Sequence, residues 1–138
     1  EAIKNRDFWM PFTPSILEER AEDYFVNPKK IQAPYMTVAF PSTELGRKEL
    51  PAAIHNVDHT LRPQIVKEDV IPEYYNLIKA FEKITGVGAV LNTSLNIHGK
   101  PIVRTPVELI DEVLSNPIVT LNYVYLDDRI LLKIKDKN

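Results

Sequence analysis

The chain has no cysteine. Disulfides, thiolate zinc sites and cysteine nucleophiles are therefore excluded, and the redox compartment is left open. No apolar run approaches the ~20 residues needed to cross a bilayer, and no secretory signal opens the sequence, so no membrane partner is expected. A surplus of positive charge is missing as well: 17 Lys and Arg stand against 19 Asp and Glu, a formal net charge of -2. General nucleic-acid binders carry a basic surplus, so no nucleic-acid partner is expected, and any polyanion must meet a local cluster of cations. Only four glycines occur, and GxGxxG, GxxxxGK[ST] and GxSxG are all absent. There is no internal repeat and no low-complexity tract.

What is present fits an ordinary globular composition: 44% of residues are hydrophobic and 26% charged, too apolar and too near neutrality for disorder. A length of 138 residues fits one domain with a real core. The first residue is Glu1, with Lys4 and Arg6 close behind, which reads as a piece of a longer polypeptide.

Eleven prolines punctuate the elements. Residues 1–7 read as a helix end or loop. Phe12–Leu17 is strand-like, with Pro11 and Pro14 favouring an edge or irregular pairing. Leu17–Phe25 has apolar positions at helical spacing, and a polar loop follows through Asn27-Pro28. Tyr35–Phe40 reads as a strand and Thr43–Glu49 as a short helix or loop. Ala52–Val57 and Leu61–Val66 read as short strands joined by a turn at Asp58, His59 and Thr60. Pro72 opens a clear helix that stops at Gly86, with Tyr74, Leu77, Ile78, Phe81 and Ile84 on its apolar face. Gly88–Leu91 is a short buried strand. Thr105 with Glu108 and Pro106 starts a second helix, whose apolar face is Val107, Ile110, Val113 and Leu114. Ile118–Leu126 and Arg129–Ile134 form a hairpin around Asp127-Asp128. The order predicts an open, mixed α/β or α+β sheet flanked by helices.

Three segments could carry chemistry. In VLNTSLNIHGKPIV, residues 90–103, a buried strand runs into Asn92, Thr93, Ser94 and Asn96, then His98, Gly99 and Lys100. Ligands of open α/β sheets sit outside the carboxyl ends of strands, and short hydroxyl and amide side chains there can hydrogen-bond a phosphate or planar carbonyl. The same residues also form turns, so pattern alone leaves both readings open. In IKNRDFWMPFTPSIL, residues 3–17, Lys4 and Arg6 point the same way if extended and can grip adjacent phosphates, or they are a solvated basic pair. Trp9 and Phe12 read as core in either case. In NVDHTLRPQIV, residues 56–66, Arg62 points to solvent or serves a cleft. His55 and His59 flank Asp58, but a metal site needs a convergent third ligand, and none is expected. Glu18-Glu19 and Asp127-Asp128 read as solvated surface.

These segments, in this order, resemble a known family. KNRDFWMPFTPSIL resembles a K-x-R-E-x-F-R-P-F-A-P-S stretch, NVDHTLRPQIV an H-V-D-G-T-A-R-x-Q-x-V stretch, and LNTSLNIHGKPIVRTPVELID an L-N-T-S-F-N-x-x-G-E-P-I-V-x-T-P-x-D-A stretch. PYM at 34–36 and PEYYNLIKAFEKITG at 72–86 match in kind and place. The chain thereby resembles the C-terminal, YrdC-like domain of the NodU/CmcH-type O-carbamoyltransferases, over nearly its whole length. The resemblance implies a YrdC-like open twisted mixed sheet and a preceding actin-like domain in the same polypeptide. It also implies use of ATP, with Mg²⁺ brought by the nucleotide, and of carbamoyl phosphate to form carbamoyl adenylate for transfer to a hydroxyl of a small molecule. Lys4, Arg6, Ser94 and Asn96 take the catalytic positions by that resemblance, with Arg62, Asn92, Thr93, His98 and Lys100 binding substrate or ATP. Cytoplasmic location is implied, and a homodimer is compatible with it.

Three positions depart from the pattern: Met10 where the family often has Arg, Asn56 where it often has His, and His59 where it often has Gly. Met10 removes a cation, and His59 costs its turn backbone freedom. Two alternatives stand beside the main reading: a threonylcarbamoyl-adenylate synthase-like enzyme, and a non-catalytic nucleotide-binding or docking module.

Overall fold

The computed structural model describes residues 10–116, 119, 121 and 123–126, and the backbone of 130–133. The described chain forms two compact units, one running to Thr93 and the other from Ser94 onward. Together they have an α+β architecture of helices with small mixed and antiparallel sheets.

The first unit is organised by a three-stranded sheet of β1 (Thr13–Leu17), β4 (Gln64–Val66) and β5 (Ala89–Asn92), with β1 in the middle. β1 runs parallel to β4, with Ser15 opposite Gln64, and antiparallel to β5, with Thr13 opposite Asn92. The central place of β1 corrects the edge assignment that Pro14 favoured. Leu17 N–H donates to Gly88 O, so odd-numbered N–H groups face β5 and the nitrogen of Pro14 faces β4. Pairing with β4 begins only at Ser15, so proline breaks no ladder bond there.

After β1 the chain turns through a 3₁₀ segment, Glu18–Arg20, into the four-residue helix α1, Ala21–Tyr24, shorter than the helix read over Leu17–Phe25. The strand read over Tyr35–Phe40 shrinks to β2, Phe40–Pro41. Met36 takes a left-handed φ of 58°, which an extended strand does not accommodate. Helix α2, Glu44–Glu49, is capped by Thr43, whose hydroxyl accepts from Gly46 N–H.

The strand pair read over 52–57 and 61–66 does not form. Pro51–Ala53 makes a 3₁₀ turn, and residues 55–60 form a closed loop in which His55 N–H donates to Thr60 O and His59 N–H to His55 O. β3, Thr60–Leu61, pairs instead with β2. Competition from distant partners thus decides the fate of short apolar runs.

Helix α3, Pro72–Thr85, ends as read from sequence, with Gly86 left-handed at φ 79°. Its buried contact is narrower than the apolar face predicted. Ile78 is fully buried with Leu17 and Val66, and Tyr74, Tyr75 and Val90 pack around them, whereas Leu77 is 57% and Ile84 85% exposed. Burying Ile78 contributes about 1.5–3 kcal/mol. Polar contacts hold the helix to the turn after β1. Arg20 pairs with Glu82, Lys79 lies 2.8 Å from Glu82 and 2.9 Å from Glu19, and Tyr75 donates to Glu19 at 2.7 Å.

The other face of the sheet covers a core built from Ile16, Tyr24, Phe25, Phe40, Leu61 and Ala89, in which the Phe25 and Phe40 rings sit 4.9 Å apart. Helices α1 and α2 meet closely here, since a Cβ on Gly46 would fall 2.2 Å from Tyr24 O.

In the second unit, Thr105 caps helix α4, Pro106–Glu108, accepting from Glu108 N–H. The Glu108 carboxylate reaches back to Arg104 N–H at 2.8 Å. The helix widens at Leu109–Leu114 into a π-helical turn. That shift buries Leu109 and Val113 and leaves Val107 and Ile110 exposed, which alters the face read from sequence. β6 (Tyr123–Leu126) and β7 (Ile130–Lys133) form the expected antiparallel pair. No described helix is long and apolar enough to cross a membrane.

Candidate functional site

Side chains alternate across a strand, so Thr13, Ser15 and Leu17 share one face of β1 with Gln64 and Val66 of β4 and with Val90 and Asn92 of β5. That face changes character along its length. Under α3 it is apolar, with Leu17, Val66 and Val90. Past α3 it becomes a hydrogen-bonded rim. Ser15, fully buried, donates to Gln64 Oε1 at 2.7 Å and accepts from Asn92 Nδ2 at 2.9 Å. Asn92 Nδ2 also donates to Gln64 Oε1 at 2.9 Å. Thr13 Oγ1 donates to Asn92 O at 2.7 Å and lies 3.1 Å from Met36 Sδ. A buried hydroxyl is tolerated because both its roles are used. Three strands that are distant in sequence are thereby fixed in register at the carboxyl end of β5, where Thr93 follows, exposed.

Arg62 is exposed between buried Leu61 and Pro63. It borders a pocket of about 120 Å³ with Phe12, His55, Asp58 and Thr60. Asp58 Oδ1 accepts from Thr60 N–H at 3.0 Å and Thr60 Oγ1 at 2.8 Å. The Thr60 amide first, then its hydroxyl, holds the Asp58 carboxyl below the usual carboxylate range. His55 Nδ1 is 3.1 Å from the same oxygen, a contact whose alignment falls short of a hydrogen bond. His59 adopts a left-handed φ of 54°, the strain expected where the family pattern has glycine. Its carbonyl accepts from Ser42 N–H at 3.0 Å and Oγ at 2.6 Å. A pocket of this volume holds a few waters; drug-sized ligands need roughly 300 Å³ or more. The described residues include no group of three His, Asp or Glu side chains placed to hold a metal ion.

In the second unit, Ser94 Oγ donates to Asn96 Oδ1 at 2.6 Å. Asn96 Nδ2 donates to Ile97 O at 3.1 Å and Lys100 O at 2.7 Å. Lys100 N–H donates to Ile97 O, with Gly99 at φ 80° in the turn's third position, a conformation that selects glycine. Val103 N–H closes the loop onto Leu95 O at 2.9 Å. Ser94, Asn96, His98 and Lys100 thus share one compact loop, on which His98 and Lys100 are exposed.

The sequence-derived candidates are therefore distributed as follows. Arg62, Asn92 and Thr93 belong to the first unit, and Ser94, Asn96, His98 and Lys100 to the second. Lys4 and Arg6 lie outside the described residues. Ser15 and Gln64 were not singled out from sequence. The available signal was polarity at alternate positions: Thr13 and Ser15 interrupt an otherwise apolar strand on the face shared with Gln64.

The fold is that of a small α+β domain with a rim of hydroxyl and carboxamide groups at one end of its sheet. Comparison with known proteins names the family. The family described as carbamoyltransferase C-terminus matches residues 1–133, and the chain belongs to it. An uncharacterized protein of Methanocaldococcus jannaschii is 44% identical over 113 residues, covering 82% of this chain and 18% of that protein. Nodulation protein NolNO of Sinorhizobium fredii is 38% identical over 117 residues, covering 84% and 17%. Nodulation protein U of Bradyrhizobium diazoefficiens is 31% identical over 98 residues, covering 71% and 17%. The chain spans about a fifth of the length of the curated relatives it matches.

Proposed function

We propose that this carbamoyltransferase C-terminal domain binds ATP and carbamoyl phosphate and forms carbamoyl adenylate, from which the carbamoyl group passes to a hydroxyl of a small molecule. The balance is that water hydrolyses carbamoyl phosphate to carbamate and inorganic phosphate, and a carbamate oxygen then attacks the α-phosphorus of ATP. Pyrophosphate leaves. Negative charge builds on the phosphoryl oxygens and the leaving group, and preorganised cations in a water-poor site stabilise it most. Lys4, Arg6 and Arg62 are the cations assigned to that task. Ser94 and Asn96 orient the transferring group through neutral hydrogen bonds, and Asn92, Thr93, His98 and Lys100 are assigned to binding substrate or ATP. Mg²⁺ arrives with the nucleotide. An actin-like domain of the same polypeptide carries the acceptor site.

Family membership supports this reading, and one structural observation favours it. Ser15, Gln64 and Asn92 form a rim of short neutral hydrogen-bonding groups at the carboxyl end of β5, chemistry suited to a planar, uncharged carbamoyl unit beside a phosphate. The test is carbamoyl-phosphate-dependent ATP–pyrophosphate exchange in the intact protein. Ser94→Ala and Lys4→Ala each lower the exchange rate at least tenfold; unchanged rates in both variants refute the assignment.

A further inference from the structure

The Ser15–Gln64–Asn92 cluster spends its hydrogen-bonding capacity unevenly. Asn92 Nδ2 donates to both Ser15 Oγ and Gln64 Oε1. Gln64 Oε1 accepts twice, from Ser15 and Asn92. A carboxamide has one oxygen with two lone pairs and one nitrogen with two hydrogens. What remains is the Gln64 Nε2 donor and the Asn92 Oδ1 acceptor, on two amides in direct contact. Both residues are half-buried, and neither atom is among the buried polar atoms that lack a partner, so both reach solvent. If the two amides turn together, the polarity reverses but one donor and one acceptor still remain. The inner bonds hold this leftover pair in place, because all three side chains are fixed to one another across the sheet.

The geometry points to a carboxamide-reading pair. Gln64 Nε2–H donates to the carbonyl oxygen of a bound carbamoyl group, and Asn92 Oδ1 accepts from its amino group. This rests on the proposed function and deepens it, since it names the two residues that tell a carbamoyl group from other acyl groups. Ser15 is a positioning residue: it touches only the two amides. A donor beside an acceptor is also the complement of the adenine edge, so the experiment separates the carbamoyl group from the nucleotide.

The decisive variant is Gln64→Glu in the intact protein. One carboxylate oxygen still accepts from Ser15 and Asn92, while the other replaces the outward donor with an acceptor. Gln64→Met, which removes both, is the second variant. In the exchange assay, the KM for carbamoyl phosphate rises at least tenfold in both, equivalent to about 1.4 kcal/mol or more, and the KM for ATP stays within twofold of wild type. In a ³¹P NMR titration of the wild type, acetyl phosphate, which carries a methyl where the amino group stands, binds at least tenfold more weakly than carbamoyl phosphate. A site built to satisfy an N–H rejects the analogue lacking it. A KM for carbamoyl phosphate within twofold of wild type in both variants overturns the pair. So does a rise confined to the KM for ATP, which would assign the amides to adenine. Absence of exchange in the wild type refutes the parent reading instead. The titration then decides the pair alone: equal binding of carbamoyl phosphate by wild type and Gln64→Glu overturns it.

Discussion

Removing one oxygen atom, by Tyr24→Phe, tests how the strand that carries Asn92 is anchored. The Tyr24 side chain is fully buried. Its hydroxyl accepts from Gly88 N–H at 3.0 Å and from Arg20 Nη2 at 3.3 Å, and it donates to Glu49 Oε2 at 3.0 Å. Burial pushes the hydroxyl above the ordinary tyrosine value, so it remains a donor at neutral pH. Gly88 immediately precedes β5, and a Cβ there would fall 2.6 Å from Arg20 Cγ, so the strand entry packs directly against the Arg20 stem. Phenylalanine leaves the buried Gly88 N–H orphaned, at about 1–3 kcal/mol. The Glu49 carboxylate is half-buried and recovers part of its loss by hydration. The net destabilisation is about 2–3 kcal/mol, or roughly 10 °C in Tm for a chain of this length. Urea denaturation reads it as a lower midpoint with an unchanged slope. A loss below about 0.5 kcal/mol would refute the reasoning, because it would mean that Gly88 N–H finds a partner elsewhere.

Three further outcomes follow from the same geometry. The Lys79 ammonium first, and then the Arg20 guanidinium, hold the Glu82 carboxyl below its ordinary value. A depressed folded-state pKa contributes stability that is full above the unfolded-state value and is lost as pH falls through the folded one. Glu82→Gln should therefore flatten the acid limb of the stability–pH curve below about pH 4.5, and an unaltered limb contradicts the assignment. His59→Gly, which relieves a left-handed φ of 54°, should stabilise by about 0.5 kcal/mol after the entropy cost of glycine; destabilisation in thermal melts would count against strain at this turn. Gly46→Ala should destabilise by about 2 kcal/mol or more, because its Cβ would fall 2.2 Å from Tyr24 O, measured by denaturant midpoint.

Local signals were legible in the sequence. Pro72 and Gly86 bound α3, and Thr105 with Pro106 begins α4, because caps are made by residues within a turn of each other. The antiparallel pairing of β6 and β7 was also legible, since the two strands lie close along the chain. Pairing between distant segments was not. Leu61 joins Phe40 rather than the 52–57 run, and Pro14 sits in a central strand because of where the β4 ladder begins. The helical faces were half legible: periodicity picked out Ile78 and Val113, but which neighbouring apolar residues are covered depends on what packs against them. In the candidate site, the polar stretch from Asn92 to Lys100 stood out by composition. Ser15 and Gln64 did not, since their bonds link residues 28 to 77 positions apart, and only the register of three strands brings them together.

The most direct test of the central claim is to incubate the intact protein with ATP and ¹³C-labelled carbamoyl phosphate and identify the nucleotide products by mass spectrometry. The account predicts labelled carbamoyl adenylate together with pyrophosphate. ATP left intact, or an adenylate formed only when threonine and bicarbonate replace carbamoyl phosphate, would contradict it.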